Sequence, residues 1–319
     1  MDIAHLRDFI GVVEAGSLST AASRLHVSQP ALSQRMTQLE TRLGVQLLVR
    51  GPRGVRPTPT GTALYRDAQQ LVRQFDRLAH DVADQRDHVH GPVAVGLPTT
   101  VAAPLAPALF GWVKHHYPGI HLQLFESMSG YIHELLLAGR LDLAAVFRED
   151  DAPRAGEVPL YSEELYLVGQ PEPRPPSDHE VALADLHAVP LVTPGPNSHL
   201  RALIDRTFAA AGLRPAVVGD VESLGTMLRI AAGGQACTIL PLSVVAGHGR
   251  AGEHREAGEH REAGALGVRR IVEPGLRRYV AVRTTTESYE PREAVVAVRR
   301  GVVEVTERLA AEGQWPGIG

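Results

Sequence analysis

Residues 28–40 read SQPALSQRMTQLE. Leu32, Met36 and Leu39 recur at i, i+4 and i+7, the spacing of one apolar helix face. The opposite face carries Gln29, Pro30, Ser33, Gln34, Thr37 and Thr41. Core helices rarely show so many amides and hydroxyls, and solvated helices usually show more charge. This face is therefore suited to a partner that offers hydrogen-bonding edges and methyl groups. Ser28 stands where an N-cap is expected. Pro30 falls in the first turn, where backbone N–H groups lack intrahelical partners in any case.

Upstream, residues 3–15 predict a helix with Leu6, Phe9, Ile10 and Val13 on one side. Ser17 caps a second, short helix, LSTAASRL, whose Ala21 and Ala22 are small enough for close helix packing. The turn His26-Val27 then leads into the helix at Ser28. Short helix, tight turn and capped helix make a helix-turn-helix. Downstream, RGPRGVRPTP (50–59) reads as an arm or wing carrying three arginines.

A long helix is expected from about Gly61 to Arg86. Leu64, Ala68, Leu71, Phe75, Leu78 and Val82 alternate in steps of four and three, an a/d seam of nearly three heptads. The strongly charged remaining faces favour a two-helix seam and self-association over packing within one domain.

With 319 residues, more than one core is expected. The net charge of −4 excludes a uniformly basic nucleic-acid binder. However, residues 1–60 hold seven arginines against four acids, a balance of +3 that leaves the remainder at −7. A basic end on an acidic body suits polyanion contact. No secretory signal or membrane-length apolar run is present, so a cytoplasmic location is expected. Cys237, the single cysteine, lies in the apolar run ACTILPL and reads as a core residue.

From residue 91 onward, strands and helices alternate, which predicts mainly parallel sheets with helices on both faces. Extended segments near 157–168 and 268–276 join two groups of βα units, suggesting two lobes around a cleft. Thr99 and Thr100 follow the first strand at a helix start, and Ser129 and Gly130 hold the equivalent place after the second. Asn197 and Ser198 begin a helix of the second lobe. Helix starts with such side chains suit a small anion, although simple capping explains the same residues. Residues 251–264 repeat the hexapeptide AGEHRE. Its period does not place His254 and His260 on one helix face, so a duplicated surface loop is expected rather than a metal tract; no metal or cofactor is expected anywhere.

The stretch SLSTAASRLHVSQPALSQRMTQLETRLGVQLLVRGPRGVRPTPTG, with its paired alanines and SQPALS core, resembles the N-terminal pattern of LysR-type transcriptional regulators. GRLDLA (139–144), LYLVG (165–169), ILP (239–241) and RRYVAV (277–282) extend the resemblance across the chain. QPALSQ, ALYRDAQQLVRQF and GDVESLGTML make it most similar to the nitrogen assimilation control subgroup. The AGEHRE repeat has no counterpart in the family pattern.

The resemblance implies an α+β multidomain protein with a winged helix-turn-helix (1–59), a linker and dimerisation helix (60–90) and a two-lobed α/β effector domain like periplasmic binding proteins (91–319). Its lobe I spans about 91–163 and 270–319, and lobe II about 164–269. It implies a homodimer or homotetramer on double-stranded DNA, at an AT-rich interrupted palindrome. A small anionic effector in the cleft and RNA polymerase are the further candidate partners; members of the nitrogen subgroup can act without an effector.

In the family's positions, Gln29, Pro30, Ser33 and Gln34 read bases, with Thr37 beside them. Glutamine pairs with adenine N6/N7, and a proline ring or threonine methyl meets a thymine methyl. Ser28 caps or contacts phosphate, Arg35 flanks the reading face within reach of phosphate, and Arg53 and Arg56 contact phosphate or the minor groove. In the family the positions of Thr99, Thr100, Ser129, Gly130, Asn197 and Ser198 line the effector site. Neither GxSxG, Walker A nor HExxH occurs, which argues against an enzyme. A cytoplasmic small-molecule binding protein is the rival class, and the helix-turn-helix argues against it.

Overall fold

The computed structural model describes residues 2–51, 54–83, 89–170, 179–245, 266–285 and 292–318. They form two compact units, residues 1–91 with 135–141, and residues 92–134 with 142–319.

The first unit opens with α1 (Ile3–Ala15), capped by the Asp2 carboxylate and ended by Gly16 at φ 60°. Helix α2 (Leu18–Arg24) is capped by Ser17, and α3 (Gln29–Leu43) by Ser28. Phe9, Val12, Ala21, Ala22, Leu32, Met36 and Leu39 close one core beneath the three helices. Strands β1 (Leu48–Gly51) and β2 (Gly54–Pro57) pair antiparallel as the wing. Gly54 sits at φ 105°, and a Cβ there would lie 2.4 Å from the Gly16 carbonyl oxygen, so this turn admits only glycine. Glu40 pins the start of the wing: its Oε1 accepts from the backbone N–H groups of Leu47 and Leu48 at 2.8 and 3.0 Å.

Helix α4 (Pro59–Ala83) packs on α1. Glu14 of α1 accepts from the Tyr65 hydroxyl and the Gln69 amide. Leu64 packs against the helix-turn-helix core and Ala68 is fully buried, whereas Leu71 and Phe75 are half exposed. The early part of the expected seam is thus spent within this chain, and its middle part is open. The side chains of Leu78 and Val82 lie outside the described ones.

The second unit begins with β3 (Gly91–Pro98), α5 (Thr99–His116), β4 (Ile120–Ser127), α6 (Ser129–Leu137) and β5 (Leu143–Arg148). The long β6 (Glu157–Val168) follows, then β7 (Glu180–Ala182), β8 (Leu191–Thr193) and α7 (His199–Ala210). The chain continues through β9 (Val217–Asp220), α8 (Leu224–Ala232), β10 (Thr238–Pro241) and β11 (Val268–Val272). It closes with β12 (Leu276–Thr284) and α9 (Glu293–Ala311). The main sheet runs β4-β3-β5-β12-β6-β11-β7, with β10 also paired to β6.

The expectation of mainly parallel sheets needs correction. Strands β3 and β5, β11 and β7, and β8 and β9 pair in parallel, but β12 runs antiparallel to both β5 and β6, and β10 and β11 run antiparallel to β6. The reason lies in the two joining segments, read from sequence as connections. The first is the strand β6, and the second holds β11 and leads into β12. The first half of β6 faces the part of β12 that borders β5, while its last residues pair with β10 and β11. Lobe II is built on Leu165, Leu167, Leu191, Ile204, Phe208 and Ile239. Cys237 lies in this core, its thiol pushed up to about 11 by burial, as expected of a packing residue.

Candidate functional site

The outer face of α3 is open. Gln29, Pro30, Gln34 and Thr37 are exposed and Ser33 is half-buried, while Leu32, Met36 and Leu39 point into the core. Ser28 Oγ accepts from the Ala31 backbone N–H at 3.4 Å, which makes it a cap. Arg35 is drawn inward: its Nη1 donates to Oδ2 of buried Asp8 at 2.9 Å. The ion pair joins α3 to α1, and any phosphate contact by Arg35 competes with it. Arg56 is exposed on β2, and Arg53 lies outside the described residues.

Sequence reasoning passed over Arg50. On β1 it pairs with Val55, and its guanidinium crosses to α3. Nη1 donates to Ser33 Oγ at 3.0 Å and Nη2 to Thr37 Oγ1 at 3.5 Å, with Glu40 Oε2 at 3.5 Å. No local pattern announces this contact, because it depends on how the wing folds back on the helix.

The cleft residues divide between two adjoining spaces in the second unit. Thr99, Thr100, Ser129 and Ser198 border a cavity of about 30 Å³, enough for one or two waters. Ser129, Gly130, Asn197 and Ser198 line a larger pocket of about 380 Å³, a size suited to small ligands. A Cβ on Gly130 would lie 2.7 Å from the Asn197 carbonyl oxygen, so the two walls meet closely here. Ser198 Oγ accepts from Leu200 N–H and caps α7.

Three residues of this region were not foreseen. Arg278 of β12 is 1% exposed and borders the smaller cavity. Its Nε donates to Glu163 Oε1 at 2.7 Å and its Nη2 to Thr100 Oγ1 at 2.9 Å, and its guanidinium carbon lies 3.7 Å from the Phe147 ring centroid. Glu163 is equally buried, so the cation carries its own counter-ion. His199 borders the larger pocket, with both ring nitrogens buried and without hydrogen-bond partners among the described residues. Burial, reinforced by the positive charges of Arg278 and Arg206, lowers its pKa to about 4, so the ring is neutral at pH 7. Its backbone N–H donates to Ser129 Oγ at 3.3 Å, joining the starts of α7 and α6.

The family pattern described as bacterial regulatory helix-turn-helix protein, lysR family, matches residues 3–62, and the LysR substrate binding domain matches residues 86–298. The chain belongs to the LysR family. It is therefore a LysR-type DNA-binding transcriptional regulator with an effector-binding domain, in which α3 is the second helix of the helix-turn-helix. It is 35% identical over 246 residues to the nitrogen assimilation regulatory protein nac of Klebsiella aerogenes, covering 76% of this chain and 79% of that protein. With the protein of the same name from Escherichia coli (strain K12) it shares 32% over 244 residues, again 76% and 79% of the two chains. Among solved structures, full-length CbnR complexed with its target DNA is similar, at 26% identity and a TM-score of 0.61, covering 96% of this chain and all of that one. A full-length OxyR variant from Pseudomonas aeruginosa shares the fold at 22% identity and TM-score 0.61, over 96% and 95% of the chains. The family consists of transcriptional regulators rather than enzymes. Among the described residues, no helix is long and apolar enough to cross a membrane. The AGEHRE repeat lies outside the described residues.

Proposed function

We propose that this LysR-type regulator reads an AT-rich interrupted palindrome through α3, as a homodimer or homotetramer held partly by α4, and that a small effector in the interlobe cleft modulates it. The observation that carries the reading is the α3 face itself. Gln29, Pro30 and Gln34 are exposed, and their amides and ring are the groups that recognise adenine and thymine edges in the major groove. The basic end of the chain supplies phosphate contacts, with Arg56, Arg53 and Arg35 as the candidates. The similarity to CbnR, solved with target DNA, supports the same reading. For the effector, the support is the 380 Å³ pocket bordered by Ser129, Gly130, Asn197 and Ser198. The test is a mobility shift of DNA upstream of the protein's own gene at moderate salt, against a scrambled duplex of equal length. Equal binding to both would overturn sequence-specific recognition.

One observation favours a second reading, an effector-independent regulator of the nitrogen-control kind. Arg278, the buried cation beside Thr100, is already neutralised by Glu163, so the smaller cavity needs no incoming anion. Thermal shift with acetate and benzoate separates the two. A rise in the native protein supports an anionic effector. No rise in the native protein, together with a rise in Glu163→Gln, supports the internal counter-ion.

A further inference from the structure

Four polar groups meet where the wing folds onto α3. Arg50 Nη1 donates to Ser33 Oγ at 3.0 Å, and Nη2 makes a longer contact to Thr37 Oγ1 at 3.5 Å. Thr37 Oγ1 itself donates to the Ser33 backbone carbonyl at 3.1 Å. Glu40 steadies the arrangement from beneath, holding the start of β1 with one oxygen and lying 3.5 Å from Arg50 Nη2 with the other.

A hydroxyl has one proton and two lone pairs, and a guanidinium can only donate. Ser33, accepting from Arg50, therefore keeps its proton for a different partner. Thr37 is in the opposite state. Its proton is committed to the helix backbone and its oxygen faces Arg50, so on this exposed residue the methyl is the side-chain group outside that hydrogen-bond set. Two residues that look alike in sequence are thus given different chemical faces by a side chain from another element.

We infer that Arg50 is a positioning residue for base recognition, which sets Ser33 as a hydrogen-bond donor to DNA and makes Thr37 a methyl contact. The base edges that fit are an acceptor opposite Ser33 (adenine N7, thymine O4, or N7 and O6 of guanine) and the thymine methyl opposite Thr37. Arg50 acts here through its neighbours. A guanidinium spent on phosphate instead would add affinity without sequence information. The inference rests on α3 being the DNA-reading helix.

Selection of binding sites from a randomised duplex pool, with the full-length protein, tests both levels. If the native protein enriches no sequence, the reading of α3 fails. If it enriches one, the variants decide on Arg50. Thr37→Val, which keeps a methyl and loses the hydroxyl, retains the selected thymine. Thr37→Ser, which keeps the hydroxyl and loses the methyl, loses that thymine by roughly three- to tenfold. The reverse pattern overturns the inference. Arg50→Ala and Ser33→Ala broaden the preference at the same base pair, and the double variant is no worse than either alone. The slope of affinity against salt stays unchanged. If Arg50→Ala weakens selected and scrambled duplexes equally and flattens the salt slope by about one charge, Arg50 is a phosphate contact and the inference falls. Thr37→Val gives up only the long contact to Arg50 Nη2 and Thr37→Ser keeps it, while the bonds of Arg50 to Ser33 and Glu40 remain, so the pair tests the methyl contact even if Arg50→Ala does not fold.

Discussion

At the scale of single residues, contacts within the protein separate reading from positioning. Gln29 is exposed at the first turn of α3 and has no structural duty among the described contacts, so its truncation should cost recognition alone. Gln29→Ala is expected to lose about 1–3 kcal/mol on the selected site and little on random DNA. Arg56→Ala should weaken both duplexes alike and lower the salt slope by about one. Fluorescence anisotropy across a salt series measures both, and equal loss for Gln29→Ala on the two duplexes removes it from the base readers. Gln34 is a further exposed amide on α3. Its neighbour Arg35 is bound to Asp8 and keeps 43% of its side chain exposed.

His199 makes a prediction about acidity. Its folded pKa of about 4 lies below the unfolded value, so between the two the unfolded chain holds more protons. Its contribution is then fully favourable above about pH 6.5 and is lost as pH falls towards 4. The native protein should lose roughly 2–3 kcal/mol more than His199→Gln over that window. Urea titrations at pH 7 and pH 4.5 check this, and parallel losses would show that the imidazole does not titrate as its burial demands.

At the scale of elements, most helix starts were legible because capping is local chemistry. Ser17, Ser28 and Ser198 each accept a bond from the first turn of the helix they precede. The long helix was legible as a helix, whereas the use of its seam was not. Periodicity shows that a face is apolar without saying what covers it. Leu64 and Ala68 are covered by their own domain, and Leu71 and Phe75 are left half exposed. Replacing Leu71 and Phe75 together with serine should therefore dissociate the oligomer while leaving the monomer folded. Each side chain is worth about 1.5–3 kcal/mol on full burial. Sedimentation at micromolar concentration reads the outcome, and an unchanged assembly would mean that α4 is not the contact. The same variant should bind one half-site and lose the gain from the second.

At the scale of the whole molecule, the helix-turn-helix, the wing, the long helix and the order of strands and helices behind them were legible from local chemistry. Caps, apolar periods and turn residues act over a few positions, and a motif as dense as SQPALSQ carries its context with it. Tertiary structure alone decided what those elements do to one another. It made β6 and β12 antiparallel neighbours, where alternation had suggested parallel order. It set Glu163 against Arg278 across 115 residues of chain, and so placed a neutralised cation beside Thr100. It also carried Arg50 from the wing onto the serine and threonine of α3. Each of these depends on strand register and on side chains distant in sequence, and the energy of such a contact exists only once the chain has folded around it.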